Sequence, residues 1–374
     1  MYKNGGYTGE DRMCDLVCDR YPVLQVMSRF GIALGFGDKT IAEVCGENRV
    51  DTATFLAVVN LVLDFGGDAD AGEHVEDQID PKTGIPVISL YGKINKPTPE
   101  MLSDVDVLVF DLQDVGCRFY TYIYLLQRVM EAGGENNVPV VVLDRPNPNG
   151  FYIDGPILED TCRSGIGMQP LPIVYALTIG ELAKLYNGEG WLRDSVTCDL
   201  TVIPCLNYDH TMRYSLPVPP SPNLPTDRSI NLYASTCFVE GTPMSEGRGT
   251  PWPFEVLGSP LIDSNATDFT FTPAPSFGDK NPKQNGVLCY GLDLRQEPEQ
   301  AQVNLDYIIW AYNNYTDKEN FFNHRGFSLR AGNYELEEQI KAGMTPEQIK
   351  ATWQPGLDSF KQVRKKYLMY PDFE

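Results

Sequence analysis

Apolar positions near the start of the chain follow a helical pattern. The run from the start signal Asp51-Thr52 to residue 64 is rich in apolar side chains, at Phe55, Leu56, Val58, Val59, Val62 and Leu63. Glycines punctuate residues 30–37, which are therefore predicted to form a turn between helices. The pattern predicts a helical module over residues 1–64 and no strand within it.

From residue 65 the pattern changes, because β-branched apolar runs begin to alternate with helical stretches. Thr178 and Glu181 form a capping signal at the start of one such helix. In chain order we predict strands at 85–90, 105–112, 138–143 and 199–203, with helices at 119–136 and 178–187. Alternation of this kind predicts an α/β fold with a mostly parallel sheet.

Beyond residue 254 strands and helices mix, with helices predicted near 303–314 and 356–367. A proline-rich stretch at 216–225 is predicted to be an extended linker or rim loop, because proline fixes φ and removes a donor. We therefore predict three domains: a helical module (1–64), an α/β domain (65–253) and a smaller α+β domain (254–374).

Polar side chains follow the two central predicted strands, where ligands of open α/β sheets bind. They are Asp111, Asp114, Arg118, Tyr120 and Tyr122 after the first strand, and Asp144, Arg145 and Asn149 after the second. Carboxylate, guanidinium, phenol and amide groups together suit a sugar that carries hydroxyl, amide and carboxylate groups. The structural alternative is that Asp111 and Asp144 cap the following segments and pair with Arg118 and Arg145.

A third polar group lies in a glycine-bearing loop with Glu240, Glu246 and Arg248. Two glutamates are candidates for the carboxyl pair that glycoside hydrolysis usually requires. The alternative is a solvated salt-bridge hairpin.

Composition narrows the class of partner. A formal net charge of -21 argues against nucleic acid and anionic membrane surfaces, which attract Lys and Arg. No apolar run approaches the ~20 residues of a membrane-spanning helix, and the first residues lack an apolar signal core, so the chain as written is expected to be cytoplasmic. Its 9 cysteines are scattered through apolar stretches, which indicates free thiols in a reducing compartment.

No cofactor motif is present: the sequence lacks a Walker loop, a complete dinucleotide fingerprint and a Gly-x-Ser-x-Gly elbow, so no cofactor is expected. His74, His210 and His324 match no metal-ligand spacing, although His74 lies in a polar loop and is a candidate for substrate contact. Cys14 and Cys18 lie on one helical pattern, but no second pair supports a metal site.

Short motifs along most of the chain resemble those of the NamZ-type exo-β-N-acetylmuramidases, glycoside hydrolase family 171. Examples are Phe-Gly-Gly-Asp-Ala-Asp-Ala-Gly at 65–72 and Leu-Asp-Arg-Pro-Asn-Pro-Asn-Gly at 143–150. The remaining motifs lie at residues 80–84, 90–92, 96–99, 110–116, 118–122, 240–241, 246–250 and 366–370.

The resemblance implies a Rossmann-like domain, a smaller auxiliary domain and a cleft between them. It implies removal of terminal N-acetylmuramic acid from the non-reducing end of peptidoglycan-derived muropeptides or disaccharides, without a nucleotide cofactor. Residues that match the family motifs would line the muramic acid site, with an arginine meeting the lactyl carboxylate. They are Asp114, Arg118, Tyr120, Asn149, Glu246 and Arg248. A family member would be periplasmic or secreted as a full-length precursor.

The chain departs from the family immediately before residue 65. Members carry Ser-Pro-Glu-His-Gly there, after further strands, and that Glu would be the catalytic acid. Here Val62 and Leu63 stand in place of the Glu and the His. The sequence thus predicts a fusion or truncation in which the sheet lacks its first strands, with activity that depends on Glu246, Asp114 or Tyr120.

Residues 14–60 instead resemble the N-terminal helical module of iron-sulfur cluster repair proteins, through Tyr-Pro-Val-Leu-Gln-Val-Met-Ser-Arg-Phe-Gly-Ile at 21–32. The paired cysteines of that module are replaced by Leu-Gly-Phe-Gly at 34–37. Three functions therefore stay open: a muramidase with full or impaired activity, a non-catalytic sugar-binding protein, and a metal- or redox-responsive fusion.

Overall fold

The structure, a computed structural model, describes residues 7–19, 23, 27, 32–33, 35–50, 52, 77–79, 84–90 and 94–374. Contacts within the chain divide it into two compact units. One comprises residues 1–69 with 216–219, and the other comprises residues 70–215 with 220–374. The three-domain division predicted from the sequence stays a prediction.

The smaller unit contains helices α1 (Met13–Asp19) and α2 (Ile41–Glu47). Thr40 caps α2 through a capping box with Glu43, which satisfies backbone donors at the start of the helix. Apolar side chains of both helices form a small core. The predicted helical character is present in α1 and α2, while the helix predicted at 51–64 lies outside the described residues except for Thr52.

The larger unit contains a three-stranded parallel sheet in the order β3-β4-β5, with a separate two-stranded hairpin β1-β2 before it. Leu108 of β3 pairs with Val140 of β4, which pairs in turn with Leu200 of β5. The elements are β1 (Gln78–Ile79), β2 (Pro86–Val87), α3 (Pro99–Leu102), β3 (Leu108–Phe110), α4 (Tyr122–Asn136), β4 (Val140–Leu143), α5 (Ile179–Gly188), β5 (Leu200–Ile203) and α6 (Asp227–Thr236). This is the α/β fold that the alternating pattern predicts.

One face of the parallel sheet is buried and the other is open. Phe110, Val140 and Val142 pack with apolar residues of α4 and α5 in the main core. On the opposite face the side chain of Val109 is 58% exposed and that of Ile203 is 48% exposed. Parallel sheets are normally covered on both faces. The described part of the chain therefore covers this sheet on one face only.

The chain continues into a second, antiparallel sheet of order β6-β8-β7 and a group of helices. Gly291 of β8 lies so close to β6 that an added Cβ would come within 1.8 Å of the carbonyl oxygen of Leu257, so only glycine fits. The elements are β6 (Val256–Ser259), β7 (Thr270–Phe271), β8 (Cys289–Asp293), α7 (Asp306–Asn314), α8 (His324–Ala331), α9 (Glu335–Lys341) and α10 (Pro346–Arg364).

The last helix begins earlier than the sequence pattern predicts. Thr345 caps it, Pro346 occupies its first turn and Gln348 completes a capping box. The sequence pattern predicts a start near residue 356, but the helix begins at Pro346 and contains Pro355, a residue that normally interrupts a helix. Within the described ranges, no helix is both long and apolar enough to cross a membrane.

Candidate functional site

Asp111, Asp144 and Arg145 form the polar contacts at the ends of β3 and β4. Arg145 Nε lies 2.9 Å from Asp111 Oδ1. Asp144 accepts hydrogen bonds from the hydroxyl of Thr178 and from Gly180 N at the start of α5, each at 2.7 Å, and from the hydroxyl of Tyr370. Burial raises the pKa of Asp144 despite these hydrogen bonds. Asp144 thus holds the first turn of α5, and Arg145 joins the two strand ends.

Asp114 is a buried carboxyl group without a cationic partner among the described residues. Its Oδ2 accepts hydrogen bonds from Gly116 N at 2.8 Å and from the hydroxyl of Tyr175, while Oδ1 is buried and has no hydrogen-bond partner. Gly116 has a φ of 76°, and a Cβ there would clash with Asn147 at 2.2 Å, so the turn requires glycine. Burial raises the pKa of Asp114 to about 6, although Tyr175 and the backbone of Gly116 oppose the shift.

Arg118 and Asn149 are fully buried and bind backbone carbonyls. Arg118 Nη1 donates to Pro156 and Leu171, and Nη2 donates to Arg330 and Ala331. Burial lowers the pKa of Arg118 to about 10. The Arg118 guanidinium is therefore enclosed by protein, and its hydrogen bonds join the α/β core to α8.

Asn149 has a similar environment. Its amide donates to the carbonyls of Val115 and Ile230, and its oxygen accepts from Asn231. It also lines a small polar cavity of about 150 Å³ with Arg213, Asp227, Asn231 and Glu299. The substrate-binding roles of Asn149 and Arg118 stay predictions.

Tyr120 and Tyr122 begin a row of aromatic rings. Their ring centroids lie 5.0 Å apart, and the ring centroid of Tyr120 lies 6.4 Å from that of Tyr233 on α6. Tyr233 in turn packs edge-on against Phe254 at 4.9 Å. The Tyr120 hydroxyl donates to the carbonyl of Pro220 at 2.7 Å, so it holds Pro220 beside this row. Burial raises the pKa of Tyr120 well above its ordinary value.

Glu240 and Glu246 lie among three cations, Arg248, Lys283 and Arg330; we call these five residues the charge cluster. Arg248 Nη2 donates to Glu240 Oε1, and Arg248 Nε lies 3.4 Å from Glu246 Oε1. Arg330 binds Glu240 Oε2 through Nε at 3.0 Å and Nη2 at 2.9 Å. Gly247, with a φ of 82°, makes the turn that brings Glu246 and Arg248 together.

Lys283 closes the charge cluster from one side. Its ammonium donates to the carbonyls of Val239, Glu240 and Thr242 and lies 3.2 Å from Glu246 Oε2. Because the donors of Lys283 bind carbonyls, Glu246 Oε2 is buried and has no hydrogen-bond partner among the described residues. The cluster contains three cations and two carboxylates, which gives a net positive charge in a chain whose formal net charge is -21.

The cations determine the ionisation of Glu240. Burial alone would raise its pKa, but the charges of Arg248, Arg330 and Lys283 outweigh burial and hold the pKa of Glu240 below its ordinary value. Burial would lower the pKa of Arg248, but Glu240 and Glu246 raise it. Both groups are therefore charged at neutral pH.

The charge cluster joins the aromatic row at Phe254, whose ring centroid lies 5.4 Å from the Arg248 guanidinium carbon. The structure thus brings Tyr120, Tyr122 and the Glu240–Glu246–Arg248 loop into one continuous set of contacts. It also adds Tyr233, Lys283 and Arg330, for which the sequence gives no local signal. This combination of an arginine, carboxylates and aromatic rings is suited to binding a sugar that carries a carboxylate.

His74 lies outside the described residues. His210 is buried, with Nε2 3.0 Å from Glu181 Oε2, and His324 lies 2.8 Å from Glu337. In the part of the chain that the structure describes, no three His, Cys, Asp or Glu side chains form a group that could hold a metal ion.

Family models and known proteins match most of the chain. The model for the N-terminal part of exo-β-N-acetylmuramidase NamZ matches residues 44–228, and the model for its C-terminal part matches residues 231–370. The peptidoglycan β-N-acetylmuramidase NamZ of Bacillus subtilis (strain 168) is 44% identical over 322 residues, which cover 81% of this chain and 77% of that protein.

Two crystal structures of DUF1343 family proteins from Bacteroides fragilis NCTC 9343 are similar to this chain. The first has a TM-score of 0.75 and 46% identity, covering 79% of this chain and 82% of that one. The second has a TM-score of 0.65 and 31% identity, covering 78% and 82% respectively.

Proposed function

Because the chain belongs to the family of the exo-β-N-acetylmuramidase NamZ, we propose that it is a glycoside hydrolase that releases N-acetylmuramic acid from peptidoglycan fragments. The observation that carries this proposal is the match of both family models, which together span residues 44–228 and 231–370. The finer proposal is an exo-acting enzyme of glycoside hydrolase family 171 that acts at the non-reducing end of muropeptides or disaccharides.

Arg248 is proposed to bind the lactyl carboxylate of the muramic acid. Its side chain is 24% exposed, and its Nη2 and Nε face the two glutamates of the charge cluster. Its Nη1 makes no hydrogen bond with the described residues. A ligand carboxylate at Nη1 would therefore add an anion to a cluster with a net positive charge. Tyr120 and Tyr122 would pack against the sugar ring.

Glu246 is proposed as the catalytic acid. Glycosidases usually protonate the leaving oxygen from one carboxyl group, and Glu246 Oε2 is a carboxyl oxygen that accepts no hydrogen bond. Glu240 does not fit this role, because Arg248 and Arg330 hold its pKa below the ordinary value and keep it ionised. Asp114 has a pKa of about 6 and is as buried as Glu246, so either carboxyl would touch a substrate only after its loop moved. Glu246 is preferred because it lies beside Arg248, the proposed ligand of the lactyl carboxylate.

A second candidate function is muramic acid binding without turnover. The observation in its favour is the departure at Val62 and Leu63, where the related family carries a Glu and a His. General acid catalysis contributes about 10² to 10⁴ in rate, so a site without an effective acid would bind the sugar but cleave it very slowly.

The test is cleavage of a chromogenic β-N-acetylmuramide by the purified full chain, alongside calorimetric binding of free N-acetylmuramic acid. We expect Glu246→Gln to lower kcat by about 10² or more while binding is retained. Glu338→Gln, which removes an exposed carboxylate from α9, is the matched control. A Glu246→Gln enzyme that cleaves at the wild-type rate would reject Glu246 as the acid. Binding without cleavage by the wild-type protein would establish the second candidate instead.

We further propose a location for the protein and a test of metal binding by residues 14–60. A protein acting on peptidoglycan fragments would meet them in the periplasm or outside the cell, which fractionation of native cells would test. The iron-sulfur repair resemblance of residues 14–60 supports the third candidate, a metal- or redox-responsive fusion. Iron or zinc that co-purifies in stoichiometric amount and is lost in Cys14→Ser would support it.

A further inference from the structure

Arg330 uses its whole guanidinium group on α8 and on the charge cluster. Its Nε and Nη2 bind Glu240 Oε2 at 3.0 and 2.9 Å, and its Nη1 donates to the carbonyl of Gly326 at 3.0 Å. The side chain is only 20% exposed. Helix α8 therefore holds the Arg330 guanidinium in a fixed position, and that position fixes one oxygen of Glu240.

Glu240 passes this constraint to Arg248, because its other oxygen accepts from Arg248 Nη2. The second anchor of Arg248 is Glu246 Oε1, 3.4 Å from Arg248 Nε. Of the three guanidinium nitrogens of Arg248, Nη2 donates to Glu240, and Nε is buried and forms an ion pair without a hydrogen bond with Glu246. The third, Nη1, makes no hydrogen bond with the described residues. Arg330, Glu240 and Arg248 thus form a relay that ends at the nitrogen proposed to meet the ligand.

Charge supports the same role. Arg330 is one of three cations that face two carboxylates in the charge cluster. Without Arg330 the cluster would be neutral, and Glu240 would retain one guanidinium partner in place of two. The attraction for a ligand carboxylate would fall, while contacts to a neutral sugar would change little.

We infer that Arg330 is a positioning residue that determines specificity: through Glu240 it orients Arg248, and so makes the site prefer N-acetylmuramic acid over the neutral N-acetylglucosamine. The inference rests on the proposed function, since it takes the lactyl carboxylate as the ligand of Arg248. Arg330 itself touches no substrate in this arrangement.

The experiment measures binding of free N-acetylmuramic acid and free N-acetylglucosamine to the full chain by calorimetry. Arg330→Met should weaken N-acetylmuramic acid binding about 10- to 100-fold, the range for a lost charged hydrogen bond, and leave N-acetylglucosamine binding nearly unchanged. Arg330→Lys keeps the charge but loses the two-point contact with Glu240. Its affinity for N-acetylmuramic acid should therefore lie between those of the wild type and Arg330→Met. Arg325→Met removes the same charge from the same helix and should change neither affinity, because among the described residues Arg325 donates hydrogen bonds to Thr161 and Tyr334 and not to the charge cluster.

Equal weakening of both sugars in Arg330→Met, or an unchanged preference for N-acetylmuramic acid, would overturn the inference. If Arg330→Met fails to fold, as judged by its melting curve, Arg330→Lys carries the test, and it should still lose part of the preference for N-acetylmuramic acid.

Turnover separates this inference from the proposed function. A wild-type chain that prefers N-acetylmuramic acid but does not cleave the chromogenic substrate would retain the role of Arg330 and reject hydrolysis. A chain that cleaves but binds both sugars equally would reject the role of Arg330 alone.

Discussion

Burial of the Asp114 carboxyl should make the stability of the protein depend on pH. Its pKa in the folded protein is about 6, against an ordinary value of 3.8. The folded state therefore binds the proton more tightly than the unfolded state, so this group favours folding at low pH. Its contribution is lost as the pH rises through about 6. Above pH 7 this difference in pKa between the folded and unfolded states lowers the free energy of unfolding by about 3 kcal/mol.

Asp114→Asn removes the charge and keeps the shape of the side chain. Its amide oxygen can still accept from Gly116 N and Tyr175, while its NH₂ group would replace the unpartnered Oδ1. Any cost of that new donor is the same at every pH. At pH 4 the unfolded carboxyl is already more than half ionised, so part of the cost is present there. We therefore expect the change in unfolding free energy caused by the substitution to be about 2.5 kcal/mol more favourable at pH 8 than at pH 4.

The assay is urea unfolding of the wild type and Asp114→Asn at pH 4, 6 and 8, followed by far-ultraviolet circular dichroism. Asp106→Asn, at an exposed position before β3, is the control for the loss of a carboxylate. An effect of Asp114→Asn that is the same at pH 4 and pH 8 would refute the reasoning, because it would mean that Asp114 titrates alike in both states.

Two further substitutions test the contacts around the site. Arg118→Met leaves four carbonyls without their donor, three of them in buried hydrogen bonds, so we expect the free energy of unfolding in urea to fall by about 3 to 5 kcal/mol; a change below 1 kcal/mol would mean that Arg118 does not hold the α/β core to α8. Tyr120→Phe removes the hydrogen bond to Pro220, so we expect the free energy of unfolding to fall by about 1 kcal/mol. In steady-state kinetics we expect a raised KM with kcat retained. An unchanged KM would count against a role of Tyr120 in sugar binding.

Local sequence signals account for most of the elements of the α/β unit. The β-branched runs predict β3, β4 and β5 because β-branched side chains favour strands. The capping pair Thr178 and Glu181 locates the start of α5 within one residue, because both groups act on the backbone of the same turn. The predicted start of α10 near residue 356 is too late, since the helix begins at the capping box of Thr345 and Gln348 and continues through Pro355.

Within the site, the sequence could predict only the members that lie close together along the chain. Glu240, Glu246 and Arg248 stand out because a glycine turn holds unlike charges within one loop. Lys283 and Arg330 look like ordinary surface cations in the sequence, and only the folded chain brings them to that loop.

The sequence by itself determined the α/β class, the family and the loop that carries the charge cluster, because these depend on local pattern and on motif identity. The tertiary structure alone decided which polar residues are enclosed and which are exposed. Arg118 and Arg248 look equivalent in the sequence, yet one is fully buried among carbonyls and the other is part-exposed beside two carboxylates. Burial and the partner of a charge depend on contacts between distant segments, and these contacts set both its pKa and its availability to a ligand.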